Sequence, residues 1–448
     1  MDTDFRGEKQ MNRTVKKGTT LLVDGPASVT VTSGKVAAFG SVISGAAKVV
    51  IREGKRLPFA VEETAAFEIA LGDTASAEEV EGNTVPPSWK ESCQEFTNLQ
   101  TKPVTAMVLG TVDSGKTSFC TYLVNEVLGE KRKVAVLDGD LGQSDIGPPS
   151  TVAYAFVTRP ITDLFSLRAR NAFFIGETSP GKVADKVITA LVSLKKEVLA
   201  NNAEFVVMNT DGWVDGECAV NYKIHLVEEL APDVIFFIQQ KDELAPLIKG
   251  LEKFKGVVVE SPSAIRQRDI EKRRSLRELG YIKYLGNAKV QSLSLSWLKI
   301  EGNELFDICK TRMNARQASS IYGLLGMKPL QLSELSDRVC VIIGRRRWIS
   351  AENIKKVEEY TKKKVVVTRK GEEEGLLAGM YDSNRKFLGV GVLQEIDYLR
   401  KTVKISTPVS EDICVLTLGK IKLDKNMKEV PITEEENQMD FASFKKLF

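Results

Sequence analysis

Gly110-Thr111-Val112-Asp113-Ser114-Gly115-Lys116-Thr117 sets two glycines four residues apart, ahead of a lysine and a hydroxyl. This is the phosphate-loop spacing, and it carries weight only between a strand and a helix. Residues 104–109 are an apolar run that reads as a buried strand. Phe119, Cys120, Leu123, Val124, Val127 and Leu128 then recur at helical spacing. In that setting backbone N–H groups close around phosphates, and the helix N-terminus adds partial positive charge. Gly110 through Ser118 are therefore expected to hold ATP. Lys116 would reach the β- and γ-phosphates, and Thr117 would place its hydroxyl on Mg²⁺. Asp113 is unusual in a loop built for anions; it faces the acceptor or Mg²⁺, or it braces the loop.

Other reactive groups fall at the ends of later apolar runs. Asp138-Gly139-Asp140-Leu141-Gly142-Gln143 places two carboxylates beside the phosphate loop, suited to Mg²⁺ or an incoming hydroxyl. Asp140 is the stronger candidate, Asp138 reads equally as a loop cap, and Gln143 could contact phosphate or substrate. Asn209-Thr210-Asp211-Gly212-Trp213 offers Asp211 as a Mg²⁺-associated acid. Trp213 reads as a stacking platform for a base or as packing against the next helix. Gly176 to Gly181 suits either an anion site or an ordinary helix cap. Between Arg266 and Lys289 eight basic residues face three acidic ones. That bias favours a cationic lid over phosphates above a solvated helix face. Arg345-Arg346-Arg347-Trp348 reads as an RNA or subunit contact, or as a capped strand end.

The elements that position these groups follow from periodicity. Residues 18–95 are short apolar runs broken by Gly-Pro and Ser-Gly turns, the pattern of a small β domain. Residues 75–92, with Pro86-Pro87, read as its exit. From 99 to about 300, strand candidates at 104–109, 134–137, 205–208, 234–238 and 257–259 alternate with helices at 116–128, 182–200, 217–230 and 243–254. Such alternation predicts a mostly parallel sheet with ligands beyond the strands' C-terminal ends. Short strands return after 315, with one helix at 350–361. The expected fold class is α/β, a central P-loop NTPase domain (99–312) flanked by mainly β domains (1–98 and 313–448). Residues 424–448 read as loose or as a short helix.

Composition narrows the functional class. A net charge of +3 confines any nucleic-acid footprint to local patches. Six scattered cysteines without a C-x-x-C pair, and a single histidine, His225, argue against a Cys/His zinc site. The proton acceptor, if the chemistry has one, is then a carboxylate. His225 itself reads as a surface or helix-packing residue. No run reaches transmembrane length, so no membrane association is expected, and the compartment reads as cytoplasmic, or nuclear in a eukaryote.

Taken together, the order resembles the polynucleotide 5′-hydroxyl kinases. It comprises a β domain, G-x-x-D-x-G-K-[ST]-S, D-x-G-Q, a T-x-P-G-like turn, N-T-x-G-W, an arginine lid and a β domain. That family includes the kinase subunit of the mRNA cleavage factor, ribosomal-RNA-processing kinases and compact archaeal enzymes, the type this chain is most similar to. The resemblance implies ATP and Mg²⁺, an RNA acceptor with DNA left open, and RNA-processing protein partners. It implies that Asp140 positions or deprotonates the 5′-hydroxyl, that Ser179 faces substrate and that Trp213 stacks on the terminal base. Arg268 and Arg273 would approach the phosphates, and Lys55 would help the N-terminal domain hold adenosine. Thr20 stands where some members carry an acid, which leaves the adenine contacts open. Two alternatives remain: a switch NTPase, for which Gln239-Gln240-Lys241-Asp242 has the wrong spacing, and an ATP-binding scaffold subunit.

Overall fold

A computed structural model describes residues 9–43, 45–99, 102–128, 132–301 and 313–430. The chain divides into two compact units, Met1–Gly280 and Tyr281–Phe448. The first opens with β1 (Lys9–Val15), β2 (Thr19–Asp24), β3 (Ala27–Ala38), β4 (Ser41–Ile43), β5 (Lys48–Ile51), β6 (Arg56–Leu71) and β7 (Ser76–Glu81). They form one sheet, in the order β4-β3-β6-β2-β7, with β1 added on β6 and β5 on β3. The long β6 organises it, burying Phe59, Val61, Phe67 and Ile69. β1 lies inside the expected 1–98 domain but ahead of the strands read from residue 18, because its sequence, KQMNRTV, is mostly polar; main-chain pairing from Lys9↔Leu71 to Val15↔Ala65 holds it.

The stretch expected as an exit linker is structured instead. β7 pairs with β2, and α1 (Pro87–Thr97) follows with proline in its first turn, where the missing N–H costs nothing. Trp89 and Phe96 are the reason this polar segment folds. Both are fully buried, Trp89 edge-on to Phe119 and Phe96 edge-on to Phe205 and Phe236.

The nucleotide-type sheet contains β8 (Val104–Gly110), β9 (Val134–Asp138), β10 (Thr151–Val157), β11 (Asn171–Phe174), β12 (Phe205–Asn209), β13 (Val234–Gln239) and β14 (Gly256–Glu260). Their order is β11-β10-β9-β12-β8-β13-β14. β8 lies between β12 and β13, parallel to both, and is buried along its whole length. Burial on both faces is why it reads as an unbroken apolar run. Helices α2 (Lys116–Val127), α3 (Ala184–Ala200), α4 (Glu217–Leu230) and α5 (Ala245–Gly250) pack on the sheet. β10 and β11 are antiparallel additions at one edge. No helix separates them from β9, so strand–helix alternation gave no sign of them. The expected helix at 243–254 shrinks to α5, because Glu243 accepts from the backbone N–H groups of Gln240 and Lys241 and folds that approach as a turn.

α6 (Ile270–Leu285) carries the chain across the division between units. In the second unit, β15 (Lys289–Ser294) and β16 (Lys299–Glu301) hydrogen-bond with β22 (Thr402–Thr407) and β23 (Val415–Leu423). The division therefore falls well before residue 313, the start expected for the C-terminal domain. α7 (Ala315–Leu325), β17 (Gln331–Glu334), β18 (Arg338–Ile343), α8 (Ala351–Thr361) and β19 (Lys364–Arg369) form a small layer around Ile321, Val341 and Val357. β20 (Leu376–Tyr381), β21 (Phe387–Asp397) and β24 (Glu429–Val430) complete the sheet that holds β15, β16, β22 and β23. Of the charged end expected as loose or helical, residues 424–430 form a turn into β24, and 431–448 lie outside the described residues. Among the described residues no helix is long and apolar enough to cross a membrane.

Candidate active site

β8 delivers the chain into the phosphate loop, and α2 begins at Lys116. Gly115 caps α2 at φ +98, and a Cβ there would sit 3.1 Å from Pro262. Gly212 is required for a different reason. A Cβ on it would lie 2.7 Å from the backbone nitrogen of Val112, so the tip of β12 packs directly beneath the loop. Lys116 is buried and donates to the Thr111 carbonyl at 2.6 Å. Burial pushes its ammonium down to about 8, against the opposing attraction of Asp140.

A cavity of about 360 Å³ opens over this loop, within the size range of small-ligand sites. Its floor includes Val112, Asp113, Lys116, Thr117 and Ser118, with Asp140 and Gln143 at one side. The N-terminal sheet supplies the opposite wall through Leu22, Asp24, Phe39, Lys55, Arg56 and Pro58. Residues 262–269 and Lys272 form a strap across it.

The carboxylates at the strand tips have separate tasks. Asp138 accepts from the backbone N–H groups of Asp145 (2.8 Å), Ile146 (3.2 Å) and Asp140 (3.3 Å), and from the Asn209 amide (3.0 Å). It caps the loop, as the structural reading of its position expects. Asp140 Oδ1 accepts from the Gly142 and Gln143 N–H groups at 3.0 Å each. Burial and the nearby Asp211 push its carboxyl above the usual range. Both oxygens of Asp211, the expected Mg²⁺-associated acid, have partners within the protein. Trp213 N–H occupies one oxygen at 3.0 Å; Tyr222 hydroxyl (3.1 Å) and Lys223 ammonium (2.8 Å) occupy the other. Lys223 is fully buried, so the pair neutralises itself beneath the site.

The expected acceptor residues gather beyond Asp140. A Cβ on Gly142 would meet Thr178 O at 3.2 Å, which brings the two loops together. A Cβ on Gly181 would meet Trp213 at 3.7 Å and Ser179 Oγ at 4.0 Å, so these two share one neighbourhood outside the cavity lining. Ser179 is exposed. Trp213 is half-buried and stacks on Tyr222 with centroids 5.7 Å apart; one part of its surface is therefore packing. Gln143 donates to the Arg273 carbonyl at 3.0 Å.

The cationic residues sort less evenly. Arg268 lines the cavity and is bound to Asp113. Arg273 is not among the lining residues; Lys272 is, paired with Glu53. Lys55 does line the cavity, and its ammonium sits 3.2 Å from Asp145. Thr20 is fully buried and donates to Gly82 O, away from the lining. The acid on that wall is Asp24, which holds Arg56 through two 2.8 Å bonds and Arg266 at 3.1 Å. Burial opposes ionisation of Asp24, but the hydrogen bonds from Arg56 and Ser76 hold it below its usual value.

Sequence reasoning missed Asp24, Arg56, Lys223 and Arg52. Arg52 bonds Asp145 and Asp163 (2.7 Å to the latter), with its guanidinium 4.2 Å from the Phe165 ring. These partners are about 90 to 110 residues away, and nothing local marks them. His225 is exposed on α4. No disulfide joins the described cysteines. Arg345 pairs with Glu374, and Trp348 is 77% exposed with the Arg369 guanidinium 3.8 Å from its ring centroid.

A phosphate loop at the C-terminal end of a central parallel strand, roofed by a cationic strap, defines a P-loop nucleotide-binding protein. Residues 110–287 match the family described as mRNA cleavage and polyadenylation factor CLP1 P-loop. A polyribonucleotide 5′-hydroxyl-kinase of Pyrococcus furiosus is 29% identical across 79% of this chain and 96% of its own length. A protein of the same name from Methanocaldococcus jannaschii is 26% identical across 75% of this chain and 91% of its own. The solved structure of wild-type Clp1p in complex with Pcf11p shares the fold, with a TM-score of 0.65 and 13% identity over 92% of this chain and 98% of that one.

Proposed function

We propose that this protein is an ATP-dependent polyribonucleotide 5′-hydroxyl kinase. The observation that carries the reading is Asp140: a carboxylate beside the phosphate loop whose Oδ1 is fixed by two backbone N–H groups while Oδ2 takes no hydrogen bond among the described residues. The loop N–H groups and Lys116 hold the triphosphate. Asp140 orients the 5′-hydroxyl and accepts its proton. A bond forms from the 5′-oxygen to the γ-phosphorus as the bond to ADP breaks, and Lys116 with Arg268 neutralises the growing charge. Mg²⁺ fits the Thr117 hydroxyl and Asp140, hard oxygen donors at the cavity, and when bound it neutralises phosphate charge. Ser179 and Trp213 receive the first nucleotide, Gln143 supports them, and Lys55 belongs to the nucleoside wall.

The kinase names of the archaeal relatives support this activity. Assembly with an RNA-processing partner is supported by the solved Clp1p–Pcf11p complex. RNA is the assigned acceptor, with DNA open. The test is Lys116→Ala and Asp140→Ala, each checked by circular dichroism for a native fold. Both variants are expected to lose at least 100-fold in phosphate transfer. Full activity in either folded variant would remove the assignment.

A further inference from the structure

We propose that Asp113 is a positioning residue that locks the cationic strap onto the phosphate loop through Arg268. The inference rests on the phosphate-loop reading of the site. Asp113 sits in the left-handed region at φ +56, a conformation that aspartate and asparagine tolerate better than other non-glycine residues. Its side chain is only 4% exposed. One carboxylate oxygen accepts the backbone N–H of Arg268 at 2.9 Å. The other accepts Nε at 2.7 Å and a second guanidinium N–H from Nη2. A carboxylate that binds both the main chain and the side chain of one residue fixes that residue in position and orientation.

The rest of the strap is tied down at other points. Ser261 Oγ donates to Ser114 O at 2.8 Å, and Arg56 donates to Ala264 O at 3.1 Å. Arg266 pairs with Asp24, and Lys272 with Glu53. Asp113 is where a side chain of the phosphate loop itself takes hold. This explains an acid in a loop that must bind anions. Unpaired, it would repel phosphate; paired, it is neutralised and aims Arg268 beside the cavity. Asp113 and Arg268 therefore act as one unit, and losing the arginine alone exposes the ligand to the acid.

That asymmetry provides the test. ATP affinity of the full chain is measured by titration calorimetry for wild type, Asp113→Asn, Arg268→Gln and the double variant. Asparagine keeps the tolerance of positive φ, so the substitution removes charge without adding backbone strain. Expected losses are about tenfold for Asp113→Asn and about 100-fold for Arg268→Gln, as for charge-assisted hydrogen bonds. The double variant should bind no worse than Arg268→Gln. Hydrogen exchange across residues 261–269 should accelerate in Asp113→Asn, with the sheet unchanged. Losses that multiply to about 1,000-fold, or unchanged strap exchange, would overturn the proposal. Coupling in ATP affinity without any phosphate transfer to RNA would retain the proposal and remove the kinase reading. Transfer by the wild type with independent losses would do the reverse. No ATP binding by the wild type would remove both.

Discussion

Nucleotide affinity should depend on pH through Lys116, and the structure fixes both sign and range. In the ligand-free site burial holds this ammonium near 8, below its ordinary 10.5. A bound triphosphate stabilises the charged form and returns the lysine to at least its ordinary value. Below about pH 8 the group is already charged, so affinity is flat. Above it, each pH unit removes a proton that binding must restore, and Kd should rise about tenfold per unit. The full window from 8 to 10.5 corresponds to roughly 300-fold, about 3 kcal/mol at 1.36 kcal/mol per unit. Titration calorimetry with a non-hydrolysable ATP analogue, in buffer pairs of different ionisation enthalpy, reads the proton count directly. Uptake should be about 0.1 proton at pH 7, about 0.5 at pH 8 and about 0.9 at pH 9, from a single group titrating near 8. Lys116→Met should bind weakly at every pH, with no proton uptake. Zero uptake by the wild type at pH 8 to 9, with constant affinity, would refute the reasoning.

Three further outcomes follow from the same charges. The depressed Lys116 value means that its contribution to stability is present above pH 10.5 and lost as pH falls through about 8. Ligand-free Lys116→Met should therefore be more stable than wild type at pH 7, by about 1–3 kcal/mol in urea titrations. Lys223→Met should cost about 3–5 kcal/mol, because it leaves Asp211 buried and unpaired, and adding Asp211→Asn should recover most of the loss; additive losses would dissociate the pair. Burial opposes ionisation of Asp163, but Arg52 and Lys55 hold it below its usual value. Its contribution is present above the unfolded value and lost as pH falls through the folded one. Arg52→Met should thus lower stability at pH 7 and narrow its difference from wild type toward pH 2, followed by circular dichroism.

Much of the site was legible because its parts are local. The phosphate loop, the Asp140 turn and the Trp213 tip each announce themselves within eight residues, by glycines and strand ends. The central strands were equally plain, since burial on both faces leaves an unbroken apolar run. What escaped notice is non-local or covered by polar sequence. β1 and β7 are held by main-chain pairing rather than by an apolar face. α1 folds through Trp89 and Phe96 inside a charged stretch. Asp211 sits where a metal-binding acid would, and only the fold reveals that α4 brings Lys223 against it. The Asp24–Arg56 and Arg52–Asp145–Asp163 groups join segments far apart in sequence. Arg268 and Arg273 looked equivalent by residue type, but the strap places Arg268 at the cavity and leaves Arg273 off it.

The central claim is phosphate transfer to a 5′-hydroxyl end. Protein, Mg²⁺ and γ-labelled ATP are incubated with matched 5′-hydroxyl and 5′-phosphorylated RNA. The account predicts label only on the 5′-hydroxyl strand, with ADP formed in equal amount and neither product formed by Asp140→Ala. ADP release at the same rate with either RNA, and no label on either strand, would contradict it.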